Sequence, residues 1–100
     1  MEERYIIQVD SDDCDGVLYI RSVGNSVSSV KMSHDIYDSK FYETVDRAQK
    51  AANRAEKFVK QAYESGYTCY GWDYDDNGEA YPTVESITTK VIKVKLISLD

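Results

Sequence analysis

The sequence predicts an α+β fold, a single domain in which one long helix packs on a mostly antiparallel sheet of four to six strands. Three observations carry that expectation. Residues 44–64 have a sustained helical periodicity. The segments on either side are β-branched and aromatic and are separated by turn signals. The length, 100 residues, is enough for one modest core. Residues 1–100 therefore read as one acidic α+β domain, without an internal repeat, linker or low-complexity tract.

The elements follow in chain order. Residues 4–9 (Arg-Tyr-Ile-Ile-Gln-Val) and 17–20 (Val-Leu-Tyr-Ile) are two strands joined by an acidic turn, so a hairpin is the simplest pairing. Gly24-Asn25-Ser26 is a turn signal, and residues 27–32 are a weaker third strand. Residues 33–43 form a polar loop with Asp35, Asp38 and Glu43, and with His34, the single histidine.

The helix is the most strongly marked element. Thr44 is placed to cap it, Asp46 sits in the first turn, and Gly66 follows as a stop. Val45, Ala48, Ala52, Ala55, Val59 and Ala62 recur at spacings of three and four, with Ala51 and Phe58 widening the stripe. An alanine face lets a helix lie close to a sheet. Beyond it, residues 67–74 are a strand, Asn77-Gly78 favours a tight hairpin turn, and Pro82 marks an edge or a break. Residues 87–97 form a long final strand that suits a sheet edge.

Charge narrows the function. The net charge of −6 and pI near 4.7 argue against direct nucleic-acid binding, which needs a basic surface. No apolar run reaches membrane-spanning length, and the start, Met1-Glu2-Glu3-Arg4, is acidic rather than signal-like, so a cytoplasmic protein is expected. Cys14 and Cys69 are too few for a metal site and read as free thiols in a reducing compartment. Carboxylates beside Cys14 dull its reactivity.

Eight of the 18 acidic residues fall in two segments, 10–16 and 73–79. Carboxylates this dense stay solvated, so both segments are expected to be exposed turns that attract basic surfaces. Asp73-Tyr74-Asp75-Asp76-Asn77-Gly78 resembles half of a calcium loop. The twelfth position is Val84, where a bidentate glutamate is required, so solvated carboxylates are the better reading. His34 lacks a nucleophile at any recognisable spacing, and clustered aspartates in open turns are the wrong setting for acid–base work. No catalytic residue, metal or cofactor is expected.

The hairpin is crowded with aromatic residues: Tyr67, Tyr70, Trp72, Tyr74 and Tyr81. Alternation places Tyr70, Trp72 and Tyr74 on one face, which is either core under the helix or an interface anchor. The opposite helix face carries Arg47, Lys50, Arg54, Lys57 and Lys60, a solvated face or a docking surface. Residues 44–64 sum to +2, so the remainder of the chain carries −8. Counting strand reversals, up, down and up before a descending helix, brings both clusters and the 33–43 loop to one pole; without the third strand the two clusters lie at opposite ends.

The segment Lys40-Phe41-Tyr42-Glu43-Thr44-Val45-Asp46-Arg47-Ala48, the alanine-rich helix and the closing Val91-Ile92-Lys93-Val94-Lys95-Leu96 together resemble small phage-encoded accessory proteins. These have an N-terminal β-hairpin, an alanine-rich helix and a closing strand. The resemblance spans about half the chain and carries over no functional residue. It implies a viral protein acting in the cytoplasm of a bacterial host. Anti-CRISPR inhibitors are similar in size and charge.

The leading expectation is a non-enzymatic inhibitor that occupies a nucleic-acid-guided host nuclease. Its carboxylates would sit where a basic channel expects phosphates. The partner-binding residues expected are Asp12, Asp13, Asp15, Asp73, Asp75, Asp76 and Glu79, with Trp72 and Tyr74 as anchors. The competing expectation is a structural module that forms a homodimer through strand edges.

Overall fold

Residues 2–10, 17–26, 29–65, 72–74, 76–77, 80–82 and 84–96 are described by a computed structural model; for 72–74, 80–82 and 96 the backbone alone is described. Consecutive Ile6 and Ile7 are both buried, at 1% and 0% exposure. Neighbouring residues of a strand face opposite ways, so this strand is covered on both sides. It is β1 (Glu2–Asp10), an interior strand of a four-stranded antiparallel sheet. β2 (Leu18–Ser22) and β3 (Lys31–Ser33) lie to one side and β6 (Thr88–Leu96) to the other, in the order β3-β2-β1-β6. β4 (Trp72–Tyr74) and β5 (Ala80–Pro82) form a separate two-stranded ribbon.

The helix, α1 (Val45–Glu64), begins where the sequence marks it. The Thr44 hydroxyl accepts a hydrogen bond from the Arg47 N–H at 3.2 Å, satisfying one of the unpaired donors of the first turn. The six residues buried along it are Ala48, Ala51, Ala52, Ala55, Val59 and Ala62. Their short side chains bring the helix close to β1 and β6. Ile7 and Val9, with Leu18, Ile20, Val30, Val84 and Ile87, complete the core beneath it.

β2 pairs with β1 only at Gln8↔Tyr19 and Val9↔Leu18, then separates from it. A returning segment fills the gap. Lys40 N–H donates to the Ile20 carbonyl at 2.9 Å. Tyr5 and Tyr42 exchange backbone hydrogen bonds at 2.9 and 2.8 Å. Residues 40–42 thereby satisfy strand groups that would otherwise be buried without partners.

Two expectations are corrected. The third strand, expected over 27–32, is Lys31–Ser33; Ser29 and Val30 precede it, and residues 27 and 28 lie outside the described residues. Gly24 N–H donates to Ser29 Oγ at 2.9 Å, which in turn donates to the Ser26 carbonyl, so Gly24, Ser26 and Ser29 are tied together just ahead of the strand. A Cβ at Gly24 would stand 3.0 Å from that of Ser29, so a side chain there would require Ser29 to give way by a few tenths of an ångström. The helix, moreover, does not descend. The 40–42 return adds a reversal, and the C-terminal turn of α1 meets Glu85 and Ser86 just before β6 begins. The helix therefore ascends alongside β1, and Glu43 falls at the end opposite Asp10.

Candidate acidic interface

At the end of the sheet where Asp10 pairs with Thr88, several of the expected features converge. Asp10 and Val17 bound the acidic connection 11–16 and stand at this end, Val17 next to Leu18, which pairs with Val9. Val84 and Ile87 are buried in the core here, immediately before β6. Pro82, two residues from Val84, lies within about 7 Å of it along the chain. Trp72 pairs with Pro82, so the base of the β4–β5 ribbon belongs to this end as well.

Asp12, Asp13, Asp15, Asp75 and Glu79 lie outside the described residues, as do Cys14, Cys69, Tyr67 and Tyr70. Asp76 is described and exposed in the turn, next to Asn77. In the ribbon, Trp72↔Pro82, Asp73↔Tyr81 and Tyr74↔Ala80 are partners. Position 73 therefore lies on the other face of the ribbon from positions 72 and 74. This register centres on Asn77. Five residues, 75–79, separate the paired Tyr74 and Ala80, and the Asn77-Gly78 turn expected there falls partly on residues 75, 78 and 79, which lie outside the described residues. The extensive backbone contacts of β4 and β5 among the described elements are with each other.

The rest of the 33–43 loop is committed locally. The Asp35 carboxylate accepts from Tyr37 N–H at 2.9 Å, and Asp38 accepts from Ser33 Oγ at 3.2 Å. His34 is exposed, with Nδ1 3.1 Å from the Val17 carbonyl. The basic helix face is partly neutralised, through Lys50–Asp46 at 3.1 Å and Arg47–Glu43 at 3.8 Å. Such exposed pairs are worth little in stability. Among the described residues Arg54 and Lys57 have no carboxylate partner within 4.0 Å.

Compared with known protein families, with curated proteins and with solved structures, the chain matches none. Its chemistry therefore has to be read from its own residues. Among the described residues no group of three or more His, Cys, Asp or Glu is placed to hold a metal ion, and no helix is long and apolar enough to cross a membrane.

Sequence reasoning missed Tyr42. Its backbone closes the gap beside β1 and its ring packs against the core. Burial pushes the phenol above its ordinary value of 10.0, with the Arg54 charge acting in the opposite direction. The unfolded chain releases this proton near pH 10 while the native state holds it to higher pH. The contribution is intact below that pH and is lost as pH rises through the native value. Tyr42→Phe is expected to make stability fall less steeply above pH 10, measured by urea unfolding at a series of alkaline pH values. An unchanged alkaline slope would contradict it.

Sequence reasoning also missed a cleft of about 410 Å³ lined by Ile36, Tyr37, Phe41, Val94 and Lys95. No sequence signal marks it, because its walls come from segments more than fifty residues apart.

Proposed function

We propose that this protein is a stoichiometric inhibitor of the kind phages and mobile elements use against host defence. It occupies the basic channel of a nucleic-acid-guided nuclease with an acidic, tyrosine-rich end. The observation that carries this reading is the convergence just described. The two ends of the 11–16 connection and the base of the ribbon share one end of the sheet. Two sequence segments that together hold eight carboxylates therefore start from one end of the sheet, and Trp72 and Tyr74 belong to the ribbon. Clustered negative charge steers association with a basic surface, and aromatic side chains supply anchoring area. The role is binding, not catalysis.

The test is competition. Guide-loaded nucleases are titrated with the protein in the presence of target nucleic acid at low salt. The protein and the nucleic acid should exclude one another from one basic surface, and rising salt should weaken both. Reversing Asp12, Asp13 and Asp15 to lysine, or Asp73, Asp75, Asp76 and Glu79, should each weaken binding at least about tenfold with little change in Tm. Inhibition that survives reversal of both clusters, or coexists with bound nucleic acid, overturns the proposal.

A further inference from the structure

The outer edge of β6 is free among the described residues, and the hydrogen-bond pattern shows which groups it offers. Tyr5 spends both its N–H and its carbonyl on Tyr42, on the side of β1 away from β6. The pair Tyr5↔Lys93 is therefore a non-hydrogen-bonded one. Backbone direction alternates along a strand, so Val94, Ile92 and Lys90 bond to β1. Thr89, Val91, Lys93 and Lys95 turn their N–H and carbonyl groups outward.

Natural sheets protect such edges with lysine, and β6 (Thr-Thr-Lys-Val-Ile-Lys-Val-Lys-Leu) carries three lysines and no acidic residue in a chain of net charge −6. All three are exposed. Lys93 is held by Glu3 at 3.1 Å, a bond that raises its pKa above the ordinary lysine value. A second copy pairing edge to edge would set these lysines against three more. The charge suits the opposite kind of partner.

The cleft lies on the sheet face across β1, and β6 forms its wall nearest that edge. Val94 lies on the sheet face away from the helix, in register with Arg4 and beside Ile6. Together with Ile36, Tyr37 and Phe41 it makes an apolar pocket with Lys95 at its border. Tyr37, at 86% exposure, is among the large hydrophobic side chains left exposed.

We propose that β6 is a β-augmentation site for an extended acidic peptide segment of a partner protein. Main-chain hydrogen bonds from Thr89, Val91, Lys93 and Lys95 hold the added strand. Strand alternation then fixes what that strand carries. The residue aligned with Val94 points to the cleft side and is a large apolar one. Its two neighbours, aligned with Lys93 and Lys95, are carboxylates, and a third carboxylate meets Lys90. This surface is distinct from the acidic end and does not rest on the function proposed for it.

The probe is a capped eight-residue peptide with a glutamate-phenylalanine-glutamate centre and a further glutamate three positions on. Its control has lysine in place of every glutamate. Binding is followed by amide spectra and hydrogen exchange of the whole chain. The acidic peptide should slow exchange of the Thr89, Val91, Lys93 and Lys95 amides, leaving Lys90, Ile92 and Val94 as they were. The lysine peptide should not. The double variant Lys90→Glu/Lys95→Glu should weaken the acidic peptide about tenfold and should bind the lysine peptide instead, which also shows that the variant is folded. No binding of the acidic peptide, equal binding of both peptides, or protection that spares the outward amides overturns the proposal. So does a dimer that protects those four amides without any peptide.

Discussion

Replacing Ile7 by alanine is expected to lower the unfolding free energy by about 2–5 kcal/mol, the range for removing a fully buried branched side chain and leaving a cavity. Ile7 is 0% exposed in an interior strand, and the residues packed around it leave the site little room to collapse. Alanines of α1 lie on one side of the core and cannot extend into the space. A domain of this size is stable by about 5–15 kcal/mol, so the variant should sit near its folding threshold. Urea unfolding should show a lower midpoint with an unchanged slope. A loss below about 1 kcal/mol would mean that the alanine face is not seated on β1.

The second large effect belongs to binding. Under the proposed function, Trp72→Ala should weaken the nuclease complex by about 2–4 kcal/mol, as truncation of a central aromatic anchor does. Salt separates this contribution from charge. At high ionic strength the carboxylates are screened, and the binding that remains should depend on Trp72 and Tyr74. Affinity at low and high salt for the wild type and Trp72→Ala is the measurement. Residual high-salt binding that ignores Trp72 would move the contact to another face, with the helix surface at Arg47, Lys50, Arg54 and Lys57 next to be tried.

The fold was largely legible because its strongest signals are local. Thr44, Asp46 and the alanine spacing define the helix without reference to anything distant, and α1 starts at Val45 as the cap requires. The long closing strand, 87–97 by sequence, is Thr88–Leu96 and does lie at a sheet edge. What could not be read locally was the return of residues 40–42. It depends on β2 leaving β1 after Tyr19, a tertiary event with no pattern of its own. That one omission reversed the helix direction. For the candidate site, the sequence supplied the carboxylates and the ribbon's existence. The outward groups of β6 needed the Tyr5–Tyr42 exchange, a contact between residues far apart in the chain.

The pairing of β1 with β6 also governs the order in which the chain can fold. Each of its rungs, from Asp10↔Thr88 to Glu2↔Leu96, joins one end of the described sequence to the other. The most extended ladder among the described strands thus closes their widest loop, the slowest type of contact to form. During synthesis the helix and the β1–β2 pair can arise before β6 is made, and β1 must wait for that strand. Over that interval β1 is an apolar strand whose β6 side has no partner, an edge that invites association with other chains.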